Sequence, residues 1–282
     1  MTRLPGMAVD AARKVNDRDA PLMFGPVEDV FAIENRTIRG AGGDIGVRIY
    51  RPDAEAGRPM LVYFHGGGWV VGSLESHDGV ARFLCRLAKC VVISVDYRLG
   101  PEHRCPAAVE DAWVATKWAA EHASEIGGDS RRLAVGGDSA GGNLAAVVAR
   151  WARDRWVPVG LELLVYPVLD CALEPEASDE YGYWVRSYLR AENDAADPDA
   201  SPLRAADLRG VAPAVILSCA RDPLREQADA YERRLREAGV PVEHVVYPEL
   251  IHGAYRMPGV LDGARRMLED SAAALIKAIG QA

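Results

Sequence analysis

No stretch of this 282-residue chain holds the roughly 18 consecutive apolar residues that a membrane-spanning helix needs. Its first residues, MTRLPGMAVDAARKVNDRD, lack an uninterrupted apolar segment and carry acids early, so they do not read as a secretion signal. Basic blocks are absent too. With 33 Lys and Arg against 41 Asp and Glu, the net charge is −8, which argues against nucleic acid or an anionic membrane as partner. Cysteine is sparse. Cys85, Cys90, Cys105, Cys171 and Cys219 are odd in number and form no Cys-x-x-Cys, so they read as reduced, buried thiols in a cytoplasmic protein. A Gly-Lys-Ser/Thr phosphate loop is missing as well. What remains is an acidic chain with 49% hydrophobic residues, enough for a sizeable core and compatible with a small neutral substrate.

From about residue 44, apolar strands alternate with amphipathic helices. Ile45, Val47 and Ile49 alternate as in a half-exposed strand, while Met60–Phe64 and Val91–Val95 are continuous apolar runs suited to strands covered on both faces. Further strands are expected at 133–135, 161–166, 214–219 and 242–247, with helices from Pro106, between Leu224 and Gly239, and from Leu261. This alternation predicts an α/β class with a mostly parallel central sheet flanked by helices. Residues 1–40 are expected to precede the sheet and 171–208 to interrupt it. The length of the second segment points to a lid or binding element.

Chemistry concentrates in Gly137-Asp138-Ser139-Ala140-Gly141, a serine between glycines after a short strand and before a helix. That strand–turn–helix context is what an exposed nucleophilic serine needs, because flanking glycines let strand and helix approach closely. His65-Gly66-Gly67-Gly68-Trp69 also follows a strand. Its three glycines leave backbone N–H groups unshielded, as donors for an oxyanion must be. His65 reads as a prop for this loop rather than a base. An activated serine needs a histidine and an acid, which in this strand order follow it in the sequence acid, then histidine. Only His244 and His252 lie downstream. His244 falls inside a strand and reads as structural or solvent-facing; His252 lies past that strand's C-terminal end, where sites in open α/β sheets collect. Asp222 ends another strand in the same way.

These motifs, HGGGW at 65–69, YRLGPEHRCPAAVED at 97–111, GDSAGG at 137–142, DPL at 222–224 and HG at 252–253, resemble the hormone-sensitive-lipase-like bacterial esterases of the α/β-hydrolase superfamily. The resemblance spans residue 44 to the C-terminus. It implies an α/β-hydrolase fold over 41–282 with a small helical cap built from residues 1–40 and an insertion at 171–208. It implies Ser139, Asp222 and His252 as catalytic triad, N–H groups of Gly67, Gly68 and Ala140 as oxyanion hole with His65 and Gly66 in support, and segment 97–111 bracing the site from behind. Trp69, Tyr181, Tyr183, Trp184 and Tyr188 are candidate pocket residues. The insertion looks short for the family, which implies a reduced lid. Two departures stand out: Glu226-Gln227 where relatives read Asp-Glu, expected to alter support of the histidine loop, and Ala254 where relatives carry an aromatic, expected to widen the pocket. The implied activity is serine-dependent hydrolysis of short-chain carboxylic esters through an acyl-enzyme, with no metal or cofactor, by a cytoplasmic monomer or homodimer. The alternatives are an amidase or deacetylase using the same triad, and a non-catalytic ligand-binding member of the fold.

Overall fold

The computed structural model describes residues 7–27, 29–172 and 179–280. Eight strands form one sheet in the order β1-β2-β4-β3-β5-β6-β7-β8. They are β1 (Ala32–Gly40), β2 (Gly43–Arg51), β3 (Arg58–Phe64), β4 (Val91–Asp96), β5 (Gly128–Asp138), β6 (Leu161–Val165), β7 (Ala214–Arg221) and β8 (Val242–Ile251). Pairing is antiparallel for β1 with β2 and β2 with β4, and parallel from β4 to β8. The helices are α1 (Val9–Phe24), α2 (Asp78–Ala88), α3 (Ala107–Glu121), α4 (Ala140–Asp154), α5 (Asp179–Tyr188), α6 (Arg225–Glu237) and α7 (Asp262–Ile279).

The continuous apolar runs explain why the sheet is covered twice. In β3, Val62 and Phe64 pack toward α3 and α4, while Leu61 and Tyr63 pack toward α2 and α7; all four are fully buried. Burying each such side chain stabilises the fold by roughly 1.5–3 kcal/mol. Chain direction reverses around β3: β4 lies on one side, β5 on the other, and the sheet then grows away through β6, β7 and β8. At such a reversal the loops leaving the C-terminal strand ends diverge and open a crevice. Phe64 of β3 is in register with Gly137 of β5, so the loop 65–69 and the turn at Ser139 emerge side by side.

Both segments that interrupt the rhythm differ from the sequence expectation. Residues 32–40 do not precede the sheet but form its edge strand. Only Ile38 is fully buried there and three charged residues interleave, so the strand pattern is faint. What covers the crevice from the N-terminal side is α1, whose Ala12, Asn16, Asp19, Ala20 and Met23 form one helical face turned to the cavity. Arg13 fastens it, donating to Val70 O (2.8 Å) and pairing with Glu102 (2.7 Å). Of the 171–208 insertion, α5 faces the crevice, but the later part belongs to the body. Ala200, Ala205 and Leu208 join the core under α4 and α6, and Asn143 Nδ2 donates to Ala200 O (2.9 Å). Residues 173–178, and the side chains of Asp179 and Glu180, lie outside the described part.

Candidate active site

Ser139 sits where β5 turns into α4, at φ 55°, ψ −115°. For a residue with a Cβ that geometry costs about 1–3 kcal/mol, and the surroundings over-determine it. Its N–H donates to Val165 O (2.8 Å), and its carbonyl accepts from Asn143 N (3.1 Å) and Val168 N (3.1 Å). The turn depends on Gly137 and Gly141, because a Cβ on either would collide with the carbonyl of Phe64.

Three side chains from three loops meet at this turn. Ser139 Oγ lies 2.8 Å from His252 Nε2, and His252 Nδ1 lies 2.7 Å from Asp222 Oδ2. Asp222 Oδ1 accepts from Leu224 N (2.8 Å), which fixes the carboxylate. A carboxylate only accepts, so the Nδ1 proton goes to Asp222 and Nε2 is left to accept the serine hydroxyl proton. That is the tautomer a base needs.

Beside the serine runs the loop 66–69. Gly67 takes φ +124°, and a Cβ there would strike Val71 O; Gly68 takes φ +59° and packs against the Trp184 ring. Among the described residues, the N–H groups of Gly67 and Gly68 donate to no protein acceptor. Ala140 is the first residue of α4, so its N–H has no partner within the helix. These are the donors a developing oxyanion would use.

Behind the loop lies a polar network that no motif announced. Asp138 accepts from Tyr63 OH (2.7 Å) and Gly66 N (2.9 Å), with His77 Nε2 at 3.2 Å and Tyr166 OH at 3.4 Å. Burial alone would push its carboxyl up, but the neighbouring His77, the Arg256 charge and the Tyr63 hydrogen bond outweigh it and hold Asp138 below the usual carboxylate range. Burial likewise lowers His77, against the opposing pull of Asp138, and takes His65 down to about 3, so the His65 imidazole is neutral. His65 stacks on Tyr97 (centroids 4.3 Å apart), whose hydroxyl donates to His65 O (2.6 Å). Arg98, next to Tyr97, pairs with buried Asp111 (2.8 Å), so segment 97–111 does stand behind the loop.

A cavity of about 430 Å³ opens over Ser139 and His252. Trp69, Tyr181 and Trp184 line it, but two of the five candidate pocket residues do not. Tyr183 turns away and packs with Trp184 against α1 and Val70, and Tyr188 is fully buried behind Trp69, stacked at 4.0 Å. Closeness in sequence put all four insertion aromatics in one segment and could not say which side faced the cavity. Ala254 does not widen the pocket either: it is buried in the core beneath α7. Gln227 supports a different loop from the one expected, accepting from the N–H groups of Leu169 (2.8 Å) and Asp170 (3.0 Å) after β6. His244 is not solvent-facing; it is held between Ser218 (2.6 Å) and Glu232 (2.8 Å). Asp229, Glu232 and His244 lie within metal-ligating reach of one another, but outside the cavity, and Arg225 and Arg236 already pair with the two acids. The cavity's remaining charged side chains, Asp19, Arg221 and Arg256, were not found from the sequence, since nothing local marks them.

Among the described residues no helix is long and apolar enough to cross a membrane. A family model for the alpha/beta hydrolase fold matches residues 61–256. The chain is 42% identical over 271 residues to a carboxylic ester hydrolase, LipN, of Mycobacterium tuberculosis, covering 88% of this chain and 72% of that one. It is 39% identical over 264 residues to the carboxylesterase NlhH of the same organism, covering 88% and 83%. A hyperthermophilic esterase from the archaeon Pyrobaculum calidifontis superposes with a TM-score of 0.93 at 38% identity, over 97% of this chain and 92% of that one.

Proposed function

The chain belongs to the alpha/beta hydrolase family, in its hormone-sensitive-lipase-like branch, and is a serine carboxylesterase; on that premise we propose that Ser139 is its nucleophile, His252 its general base and Asp222 the orienting acid. The observation that carries the assignment is the continuous relay, 2.8 Å from Ser139 Oγ to His252 Nε2 and 2.7 Å from Nδ1 to Asp222. His252 Nε2 takes the hydroxyl proton as Oγ attacks the ester carbonyl. The N–H groups of Gly67, Gly68 and Ala140 hold the tetrahedral oxyanion, at the N-terminus of α4 whose dipole favours negative charge. Protonated His252 then gives its proton to the leaving alcohol, water attacks the acyl-enzyme by the same route, and the acid departs. Asp222 keeps the tautomer and stabilises the imidazolium.

In this reading α1 and α5 are the cap, and the substrate is a small short-chain ester. Trp69, Tyr181 and Trp184 bound a cavity near the lower end of the roughly 300–1,000 Å³ usual for small-molecule sites. Every residue of the relay comes from one chain, so a monomer or a homodimer would serve. The five free, buried cysteines support a reducing, cytoplasmic setting. Fluorophosphonate labelling and turnover of 4-nitrophenyl butyrate test the assignment. Ser139→Ala should abolish labelling and lower kcat on the order of 10⁶-fold, and Asp222→Asn on the order of 10⁴-fold. Labelling that survives in Ser139→Ala would overturn it.

A further inference from the structure

The proposed esterase site contains an element that ester hydrolysis itself does not use. Two arginines line the cavity with Ser139 and His252: Arg221, directly before Asp222, and Arg256, on the turn that follows His252. The chain as a whole is acidic, and many of its arginines sit on carboxylates; Arg58 pairs with Asp53, Arg98 with Asp111, Arg266 with Glu249. These two do not. Arg221 is exposed, and its side chain makes no hydrogen bond or ion pair with any described residue. Arg256 is half-buried and donates only from Nη1, to Asn16 Oδ1 on α1 (3.1 Å). Its other N–H groups have no acceptor among the described residues.

The cavity's two carboxylates are already engaged. Asp138 is enclosed by Tyr63, Gly66 and His77, and Asp19 accepts from Arg18 (2.7 Å). The remaining lining is mostly apolar, including Val71, Trp184, Leu224 and Met257. An apolar cavity with two guanidiniums whose N–H donors are not taken up by a carboxylate has the chemistry to recognise an anion at one end of an otherwise apolar molecule. A guanidinium fits a carboxylate through two parallel N–H donors, which neutral esters cannot exploit.

We infer that this enzyme selects esters carrying a free carboxylate, such as half-esters of dicarboxylic acids, and that Arg256, assisted by Arg221, is the specificity-determining residue. The inference rests on the esterase assignment above. The carboxylate can belong to the acyl half or to the alcohol half, and the two arms of the test separate these.

In one arm, 4-nitrophenyl hydrogen glutarate is compared with 4-nitrophenyl butyrate; in the other, 3-carboxyphenyl butyrate with phenyl butyrate. The readout is the ratio of kcat/KM, charged over neutral ester, within each pair. In one arm Arg256→Gln should lower that ratio by about 10- to 100-fold, chiefly through KM, as loss of a charged hydrogen bond requires. Arg256→Lys should recover much of it, and Arg221→Gln, at an exposed position, should lower it less. In the wild-type enzyme raised salt should increase KM for the charged ester more than for the neutral one. Unchanged ratios in both arms overturn the inference. So does an equal fall for both esters of each pair, which would make Arg256 only a fastening for α1 through Asn16. If the wild-type enzyme hydrolyses none of the four esters, the esterase assignment itself fails, a different result from either.

Discussion

Asp138 offers the sharpest test of how the fold prepares the site. Its carboxylate bonds to none of Ser139, His252 and Asp222; it ties the turn at Ser139 to the loop that carries Gly67 and Gly68 through Gly66 N (2.9 Å), with Tyr63 OH (2.7 Å) on the same oxygen. Replacing it with alanine would leave Tyr63 OH buried and unpaired, a cost of roughly 1–3 kcal/mol, and Gly66 N with only its longer contact to His77 Nε2 (3.3 Å). Against a typical total of about 5–15 kcal/mol that variant risks unfolding. Asparagine is the better probe. With its oxygen in the Oδ1 position it retains both bonds but loses their charge assistance, about 1–1.5 kcal/mol per bond, hence about 2–3 kcal/mol in all. At roughly 2–4 °C per kcal/mol, Tm should fall by about 4–12 °C. Activity should fall too, because a displacement of about 1 Å in positioned groups costs on the order of 10²-fold. For Asp138→Asn we expect kcat/KM for 4-nitrophenyl butyrate to drop roughly 10- to 100-fold, with fluorophosphonate labelling retained, since Ser139, His252 and Asp222 are untouched. A Tm within about 1 °C of wild type, together with unchanged kcat/KM, would refute the reasoning.

Two further expectations concern stability. His65 is held neutral with a pKa of about 3 against an ordinary 6.5, so below pH 6.5 the unfolded chain binds a proton the folded one refuses. Its stabilisation is complete above that pH and declines by about 1.4 kcal/mol per unit down to about pH 3; denaturant titrations at several pH values should show the slope, and His65→Gln should flatten it by one proton. An undiminished slope in that variant argues against the assignment. Glu162 on β6 is fully buried, and neither carboxylate oxygen has a hydrogen-bond partner among the described residues. Burial raises its pKa well above the ordinary 4.5, so its cost grows as pH rises beyond that value. Glu162→Leu should therefore stabilise the protein at pH 7 by roughly 1–3 kcal/mol, with the gain shrinking toward pH 4.5; a less stable variant at pH 7 would contradict this.

Short-range chemistry made much of the site legible. Strand, glycine turn and helix are contiguous at Ser139, so the steric need for Gly137 and Gly141 is written beside the serine. Asp222 and His252 could be chosen because each follows an apolar run long enough to be a strand, and strand ends converge in this fold class. Where a residue's surroundings come from distant sequence, the reading stopped or erred. Tyr63 and Gly66 reach Asp138 across separations of 75 and 72 residues, and His77 across 61, with no pattern linking them. Tyr181, Tyr183, Trp184 and Tyr188 share one helix, yet only two of them face the cavity, because α1 and Trp69 claim the others' faces. The edge strand β1 escaped notice since a strand with one wet face and charged residues carries little periodic signal.

The sequence by itself determined the α/β alternation, the glycine turn at Ser139 and the strand ends at Asp222 and His252, because each depends on neighbours within a few residues. Only the tertiary structure decided which groups surround them: the buried Asp138 network, the α1 face over the crevice, and the two arginines lining the cavity. Periodicity records that a side chain is buried, and it takes the packed chain to show against what.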